Sequence, residues 1–287
     1  MTGATGTVGR EVARLLSAVR PLRILARNPR RVPVAGRAHE VVAGDYADRD
    51  SLARALDGVA AAFVVTTPGD GDDDARFVEA ARAAGVRHLV KVSAAAVTDP
   101  QADDFITRWQ RDTEDIIRSS GAGWTFLRPR SFMSNTLSWA SAIRSEGVVR
   151  AVHGTSVNAC VDPRDIAEVA VRALTEDGHQ GMAYLLTGPE AVSAVDQTEQ
   201  LSRALGRSLR FEELGLAQAW KLWSARYPEP VARALLQSAE RQLAGVKAQV
   251  GQAVSEVTGR PARPFRIWAA DHAAAFAPLA APGTGSA

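Results

Sequence analysis

Three observations predict an α/β fold: a Rossmann-type doubly wound parallel sheet with a smaller, mainly helical C-terminal substrate lobe. Gly3, Gly6 and Gly9 stand directly ahead of a helical pattern, short apolar runs alternate with helix-length segments, and the last third turns helical throughout. A pyrophosphate needs backbone N–H donors at close range and the positive end of a helix dipole, and only residues without a Cβ let the backbone approach that near. MTGATGTVG is therefore read as a phosphate cradle lined by Gly3, Thr5, Gly6, Val8 and Gly9, ahead of a helix from Arg10 to Leu16. The alternative is an ordinary structural turn. Such a loop normally follows a buried parallel strand, and here only Met1 precedes Thr2, so the expectation is a start assigned too far downstream or a truncated sequence.

Leu22 to Ala26, Glu40 to Val42, Ala60 to Thr66 and His88 to Ser93 are short apolar runs and read as strands. Ser51 to Asp57 and Asp73 to Ala84 carry helical spacing between them, and Gly58 and Gly85 fall where helices stop. A helix from Phe105 to Ser119 ends at Ser120 and Gly121, and the strand Trp124 to Leu127 behind it is stopped by Pro129. Further strands are expected at Ala159 to Val161 and Tyr184 to Leu186. Asp162 to Asp165 read as a loop and N-cap opening a helix from Ile166 to Leu174. The amphipathic segments Gln197 to Leu205, Leu216 to Ala225 and Val231 to Ala253 join Phe132 to Ile143 in the substrate lobe. The expected division is 1–130 with 151–190 as the nucleotide-binding domain, 131–150 with 191–278 as the lobe, and 279–287 as a disordered tail.

The 287 residues suffice for a large core, and 34 basic against 32 acidic residues leave a net charge of +2, too small a field to imply nucleic acid as a partner. One cysteine, Cys160, excludes an intramolecular disulfide framework and points to a reducing, cytoplasmic setting. No apolar run reaches the roughly 20 residues of a bilayer span. The five histidines show no metal-ligand spacing, so no metal is expected.

The Leu22 to Ala26 strand runs out into Arg27, Asn28, Pro29, Arg30 and Arg31. An NAD site places a carboxylate there for the ribose 2′-hydroxyl. With no acid present, the guanidiniums can clamp a 2′-phosphate through charge-assisted bonds, which predicts NADPH; the competing reading is a solvated arginine loop.

The segments TGATGTVG (Thr2 to Gly9), ARNP (Ala26 to Pro29), GD (Gly44, Asp45), FLRP (Phe126 to Pro129), FMSN (Phe132 to Asn135) and DPRDIA (Asp162 to Ala167) together resemble the NmrA-like atypical short-chain dehydrogenase/reductases. ALTEDGH, TGPEA and EVTGRPARPF extend the resemblance nearly end to end, and relatives named quinone or triphenylmethane reductases share it. The resemblance implies a 2′-phosphate contact at Arg27 and an adenine contact at Asp45 with Tyr46 beside it. It further implies a nicotinamide ribose bordered by Thr66, Thr67 and Pro68. The wider superfamily often carries a catalytic serine at the position of Ser93. The competing readings are a helix N-cap for Asp45, a strand-end residue satisfying loop amides for Ser93, and a snorkelling side chain for Lys91.

The superfamily's Tyr-x-x-x-Lys pair is absent, since Asp50, Gly188 and Val231 stand four residues after Tyr46, Tyr184 and Tyr227. Without a placed acid a ketone reduction forfeits about 10²- to 10⁴-fold. An electrophilic, conjugated and mostly aromatic acceptor, which takes hydride by positioning alone, fits better. Phe132, Met133, Asn135, Trp139, Trp223 and Tyr227, with Trp220, are the candidate pocket residues, although aromatic residues at helical spacing also serve as core. The expected function is an NADPH-dependent reductase of a quinone-like small molecule, with a homodimer left open. The rival readings are a non-catalytic NADP(H) sensor of the NmrA type and a secondary-metabolite tailoring reductase or isomerase.

Overall fold

A computed structural model describes residues 1–32, 39–68 and 72–277, so the tail expected at 279–287 lies outside the described residues. In chain order the elements are α1 (Thr7–Leu16), β1 (Leu22–Ala26), β2 (His39–Ala43), α2 (Arg49–Leu56), β3 (Ala61–Val64), α3 (Asp73–Ala83) and β4 (His88–Val92). There follow α4 (Phe105–Ser119), β5 (Gly123–Pro129), α5 (Ala140–Glu146), β6 (Val148–Ala151), α6 (Pro163–Thr175) and β7 (Met182–Leu186). The last are α7 (Ala194–Leu205), β8 (Arg210–Glu213), α8 (Leu216–Ser224), α9 (Glu229–Leu243), α10 (Ala253–Thr258) and α11 (Phe265–Asp271).

The chain divides into two compact units, and the first comprises Met1–Arg130, Pro163–Thr187 and Gly251–Ala262. Within it β3, β4, β5 and β7 form a parallel sheet in that order, while β1 and β2 pair in parallel as a separate ribbon. Leu52, Phe77, Leu89, Ile117 and Phe126 fill one core; Ala13, Leu16, Leu22 and Ile24 pack with Val171 and Leu174 in another. The near-continuous apolar text of β3 to β5 follows from this burial on both faces. Helix starts are fixed locally: Asp48 caps α2 through the Asp50 and Ser51 amides, and Asp104 caps α4 through the Thr107 amide.

The second unit comprises Ser131–Asp162, Gly188–Val250 and Arg263–Ala287. Its core gathers Ile143, Val149, Leu201, Phe265 and Trp268, with the last two rings stacked at 5.6 Å. β6 and β8 pair in parallel there, two strands the sequence reading missed because VVRA and RFEE are too short and polar to show a run. Ala159 to Val161 makes only an isolated bridge, Phe132 to Val161, rather than the expected strand. The helix expected from Val231 to Ala253 ends at Leu243, and α6 begins already at Pro163, whose missing N–H costs nothing in a first turn. Met133–Trp139 is a 3₁₀ segment ahead of α5. Relative to the expected boundaries, 151–162 and 188–190 fall in the second unit and 251–262 in the first, where the Gly251 amide donates to Thr187 Oγ1 and Arg260 pairs with Asp165 at 2.9 Å.

Candidate functional site

The phosphate loop hangs between the end of β3 and the start of α1. Thr2 Oγ1 accepts from the Val65 amide at 2.8 Å and donates to the Val65 carbonyl at 3.1 Å, so a side chain takes over the ladder where the strand ends. Gly3 then turns at φ +68°, and a Cβ on it would stand 2.8 Å from the Val65 Cβ. A Cβ on Gly9 would fall 2.0 Å from the Gly3 carbonyl oxygen, so this glycine lets α1 seat against the loop. Gly6 is the N-cap, with no side-chain cap bond, and Thr5, Gly6 and Thr7 are exposed. The first amides of α1 and the positive end of its dipole are thereby offered to solvent, a cradle that fits an anion. Val8 departs from expectation: its side chain is buried among the core residues, which leaves only its backbone toward the loop.

Past the carboxyl end of β1, Arg27, Arg30 and Arg31 are exposed, and Asn28 Oδ1 accepts from the Arg30 amide to shape the turn. Among the described residues no carboxylate pairs with these guanidiniums. Asp45 is exposed and is not the cap of α2; its Oδ1 accepts from the Ala47 amide, and its own amide donates to Ser51 Oγ. Tyr46 faces inward. Its hydroxyl donates to the Val65 carbonyl at 3.0 Å, its ring meets Phe77 edge-on, and burial pushes its pKa up to about 12. This tyrosine thus fastens the end of β3.

Behind the carboxyl ends of β3 and β4 lies a buried polar cluster that the sequence did not reveal. Asp74 receives three donors: Thr66 Oγ1 at 2.6 Å, Trp109 Nε1 at 2.7 Å and Thr113 Oγ1 at 3.0 Å. Lys91 does not snorkel, because it is 0% exposed. Its Nζ donates to the Val92 carbonyl at 2.6 Å and to Gln110 Oε1 at 3.1 Å, and it stands 5.1 Å from the Trp109 ring centroid. Burial pulls its pKa down to about 8 against the opposing pull of Asp74 and Glu114. Ser93, also buried, donates to Glu114 Oε1 at 2.7 Å. Burial raises Glu114, but hydrogen bonds from Arg128 and Ser93, with the charges of Arg128 and Arg118, hold its carboxyl below the usual range. The hydroxyls of Thr66 and Ser93 are therefore committed inward; Thr67 is exposed and Pro68 half-buried.

The expected pocket residues are distributed more widely. Met133 is 1% exposed and belongs to the core of the second unit, a correction to its expected role in a pocket wall. Phe132 is half-buried, Asn135 is exposed, and Trp139 packs against that core. Trp220 and Trp223 are half-buried on α8, with the Arg233 guanidinium 5.5 Å from the Trp220 ring, and Tyr227 is exposed beside Arg226. Cys160 is buried, and its thiol is pushed up to about 12 by that burial. Among the described residues no three His, Cys, Asp or Glu side chains gather to hold a metal. No helix there is long and apolar enough to cross a membrane. Sequence reasoning passed over Arg130, which follows Pro129 at the carboxyl end of β5; its Nε is interior and has no hydrogen-bond partner, and burial lowers its pKa against the opposing charge of Asp99.

Residues 3–177 match a family model described as NAD(P)H-binding. The chain is 62% identical over 278 residues to the (4-alkanoyl-5-oxo-2,5-dihydrofuran-3-yl)methyl phosphate reductase of Streptomyces griseus subsp. griseus, covering 97% of this chain and 99% of the relative. It is 38% identical over 281 residues to an NAD(P)H azoreductase of Xenophilus azovorans, covering 96% and 98%. The structure of an NADPH-dependent quinone oxidoreductase from Escherichia coli, complexed with NADPH, superposes with a TM-score of 0.83 at 25% identity, covering 94% of this chain and 98% of that one.

Proposed function

The chain belongs to this NAD(P)H-binding family and is an NAD(P)H-dependent oxidoreductase, and from that premise we propose that it reduces a small conjugated acceptor, a quinone or an acylated butenolide, with NADPH. The observation that carries the reading is the commitment of the polar groups at the carboxyl end of β4. The Ser93 hydroxyl donates its hydrogen bond to Glu114 and the Lys91 ammonium donates to Gln110 and the Val92 carbonyl, so neither stands ready as a general acid. Such a site suits a substrate that needs none.

In the substrate named for the Streptomyces relative, the ring double bond is conjugated with both a lactone and a ketone carbonyl. A dinucleotide held by these residues would supply a hydride; its addition at the carbon β to both carbonyls would give an enolate spread over two oxygens, which can take its proton from water. The chain's own residues bind and orient. Gly3, Thr5, Gly6 and Gly9, with the Val8 backbone, hold the pyrophosphate; Arg27, backed by Arg30 and Arg31, takes the 2′-phosphate. Asp45 accepts from the adenine amino group, and Thr66, Thr67 and Pro68 border the nicotinamide ribose, with Ser93 keeping that edge in place. Arg130 supports an anionic substrate, since a half-buried guanidinium with an unbonded Nε is suited to a phosphate.

The test is loss of reduced-nicotinamide absorbance with a panel of quinones, azo dyes and acyl butenolides, with and without the phosphate, beside an NADPH binding titration. Turnover above the enzyme-free rate is expected with at least one class. Arg130→Gln should raise KM for phosphorylated acceptors only. Tight NADPH binding without turnover on any acceptor would overturn the reading in favour of a sensor.

A further inference from the structure

Six of the nine residues of α8 are apolar, yet only Ala219 is buried. The helix packs against α9 within the second unit, and the rest of its apolar surface meets solvent. Leu216, Trp220 and Trp223 recur at the four- and three-residue spacing of one helical face, and Ala219 and Leu222 widen it. Leu222 is 58% exposed, Leu216 and Tyr227 are each 37% exposed, and the two tryptophans are half-buried. Single exposed apolar residues are ordinary, whereas a contiguous patch rimmed by charge marks an interaction site. From Gly215 to Pro228 the chain carries Lys221 and Arg226 and no acid. Among the described residues no carboxylate pairs with either cation. The Arg226 guanidinium stands 5.4 Å from the Tyr227 ring, and Arg233 of α9, paired with Glu229 at 2.6 Å, stands 5.5 Å from the Trp220 ring. Three cations thus face one acid around the patch.

We propose that α8 is an interfacial helix that seats the protein on a bilayer surface bearing anionic headgroups. Leu216, Leu222, Trp223 and Tyr227 enter the boundary between headgroups and acyl chains, and Lys221 and Arg226 reach the headgroup phosphates. Tryptophan and tyrosine beside lysine and arginine is the composition of a helix lying in that plane. Nine residues are too few to cross the hydrocarbon core, so the helix lies on the bilayer. Charge decides between this occupant and a second copy of the chain. Two such faces set against each other bring Lys221, Arg226 and Arg233 of both chains together, while an anionic surface neutralises them. Docking there carries the protein to the phase in which acceptors with apolar tails dissolve, and the inference does not rest on the acceptor proposed above.

The test sediments the 287-residue chain with vesicles of phosphatidylglycerol and phosphatidylcholine in equal parts, and with vesicles of phosphatidylcholine alone. Binding to the anionic vesicles should exceed binding to the neutral ones by about tenfold or more. It should fall several-fold at about 1 M salt, where the Debye length shrinks to about 3 Å. Leu222→Glu and the double variant Lys221→Glu/Arg226→Glu should each lose about tenfold or more of that binding. Both should keep the parent's circular dichroism and NADPH affinity, because all three side chains are exposed. The double variant Arg54→Glu/Arg82→Glu, matched in charge at exposed positions of α2 and α3, should bind the anionic vesicles within about twofold of the parent. No binding, equal binding to the two vesicle types, unaltered binding in both α8 variants, or an equal loss in the charge-matched control overturns the proposal. A lipid-free dimer that Leu222→Glu splits overturns it as well, because a second copy then fills the face.

Discussion

Replacing Lys91 by methionine removes one charge from the buried cluster behind β4 and keeps an unbranched side chain of similar length. In the folded protein the ammonium is stripped of water, and its pKa falls from 10.5 to about 8. The unfolded chain therefore holds this proton between pH 8 and 10.5, while the folded chain has released it. Stability must rise with pH across that window: the cost of burying the charge is present in full below about pH 8 and gone above 10.5. At about 1.4 kcal/mol per pH unit, the window corresponds to about 3 kcal/mol. Urea unfolding of the parent and of Lys91→Met, followed by tryptophan fluorescence from pH 7 to 11, measures it. The parent's stability relative to the variant should climb by about 3 kcal/mol, and titrations common to both proteins cancel in the difference. Parallel curves would refute the reasoning and return Lys91 to an ordinary, hydrated state.

Arg27→Ala should weaken NADPH by about 10- to 100-fold, the value of charge-assisted bonds to a phosphate, and leave NADH within about twofold; equal losses in paired titrations would remove Arg27 from the 2′-phosphate. Gly9→Ala should lower Tm and abolish dinucleotide binding together, because its Cβ would meet the Gly3 oxygen at 2.0 Å. Gly6→Val should keep the fold and lose the cofactor, which circular dichroism and a binding titration separate. Ser93→Ala should cost about 1–3 kcal/mol of stability while changing kcat less than tenfold. A loss of 10² or more in kcat would put its hydroxyl in proton transfer.

Much of the fold was legible because its signals are local. The apolar run Leu22 to Ala26 coincides with β1, and the helix Phe105 to Ser119 with α4, whose Asp104 cap and following glycines mark both ends. β6 and β8 were not legible, since neither VVRA nor RFEE is distinctive until the other lies beside it. The glycines of the phosphate loop could be read from spacing alone. The fate of the polar residues could not. Whether Lys91 snorkels or sinks depends on Gln110 and Trp109 from α4 and on Asp74 from α3. Likewise the Ser93 hydroxyl is claimed by Glu114, 21 residues on. Met133 was read as pocket because it follows a strand end, where position says nothing about which way the side chain turns.

The division of the chain has a practical consequence for anyone cutting the gene. Each unit is assembled from three separate stretches, so the chain passes from one to the other at 130/131, 162/163, 187/188, 250/251 and 262/263. No single truncation releases either unit intact. A ribosome that has emitted only the first 130 residues has yet to deliver α6, β7 and α10, so the nucleotide-binding unit cannot be completed until nearly the whole message is read. Such late, long-range closure is slow, and exposed sheet edges in the waiting chain favour aggregation. Expression yield should therefore respond more to temperature and chaperone supply than to surface substitutions.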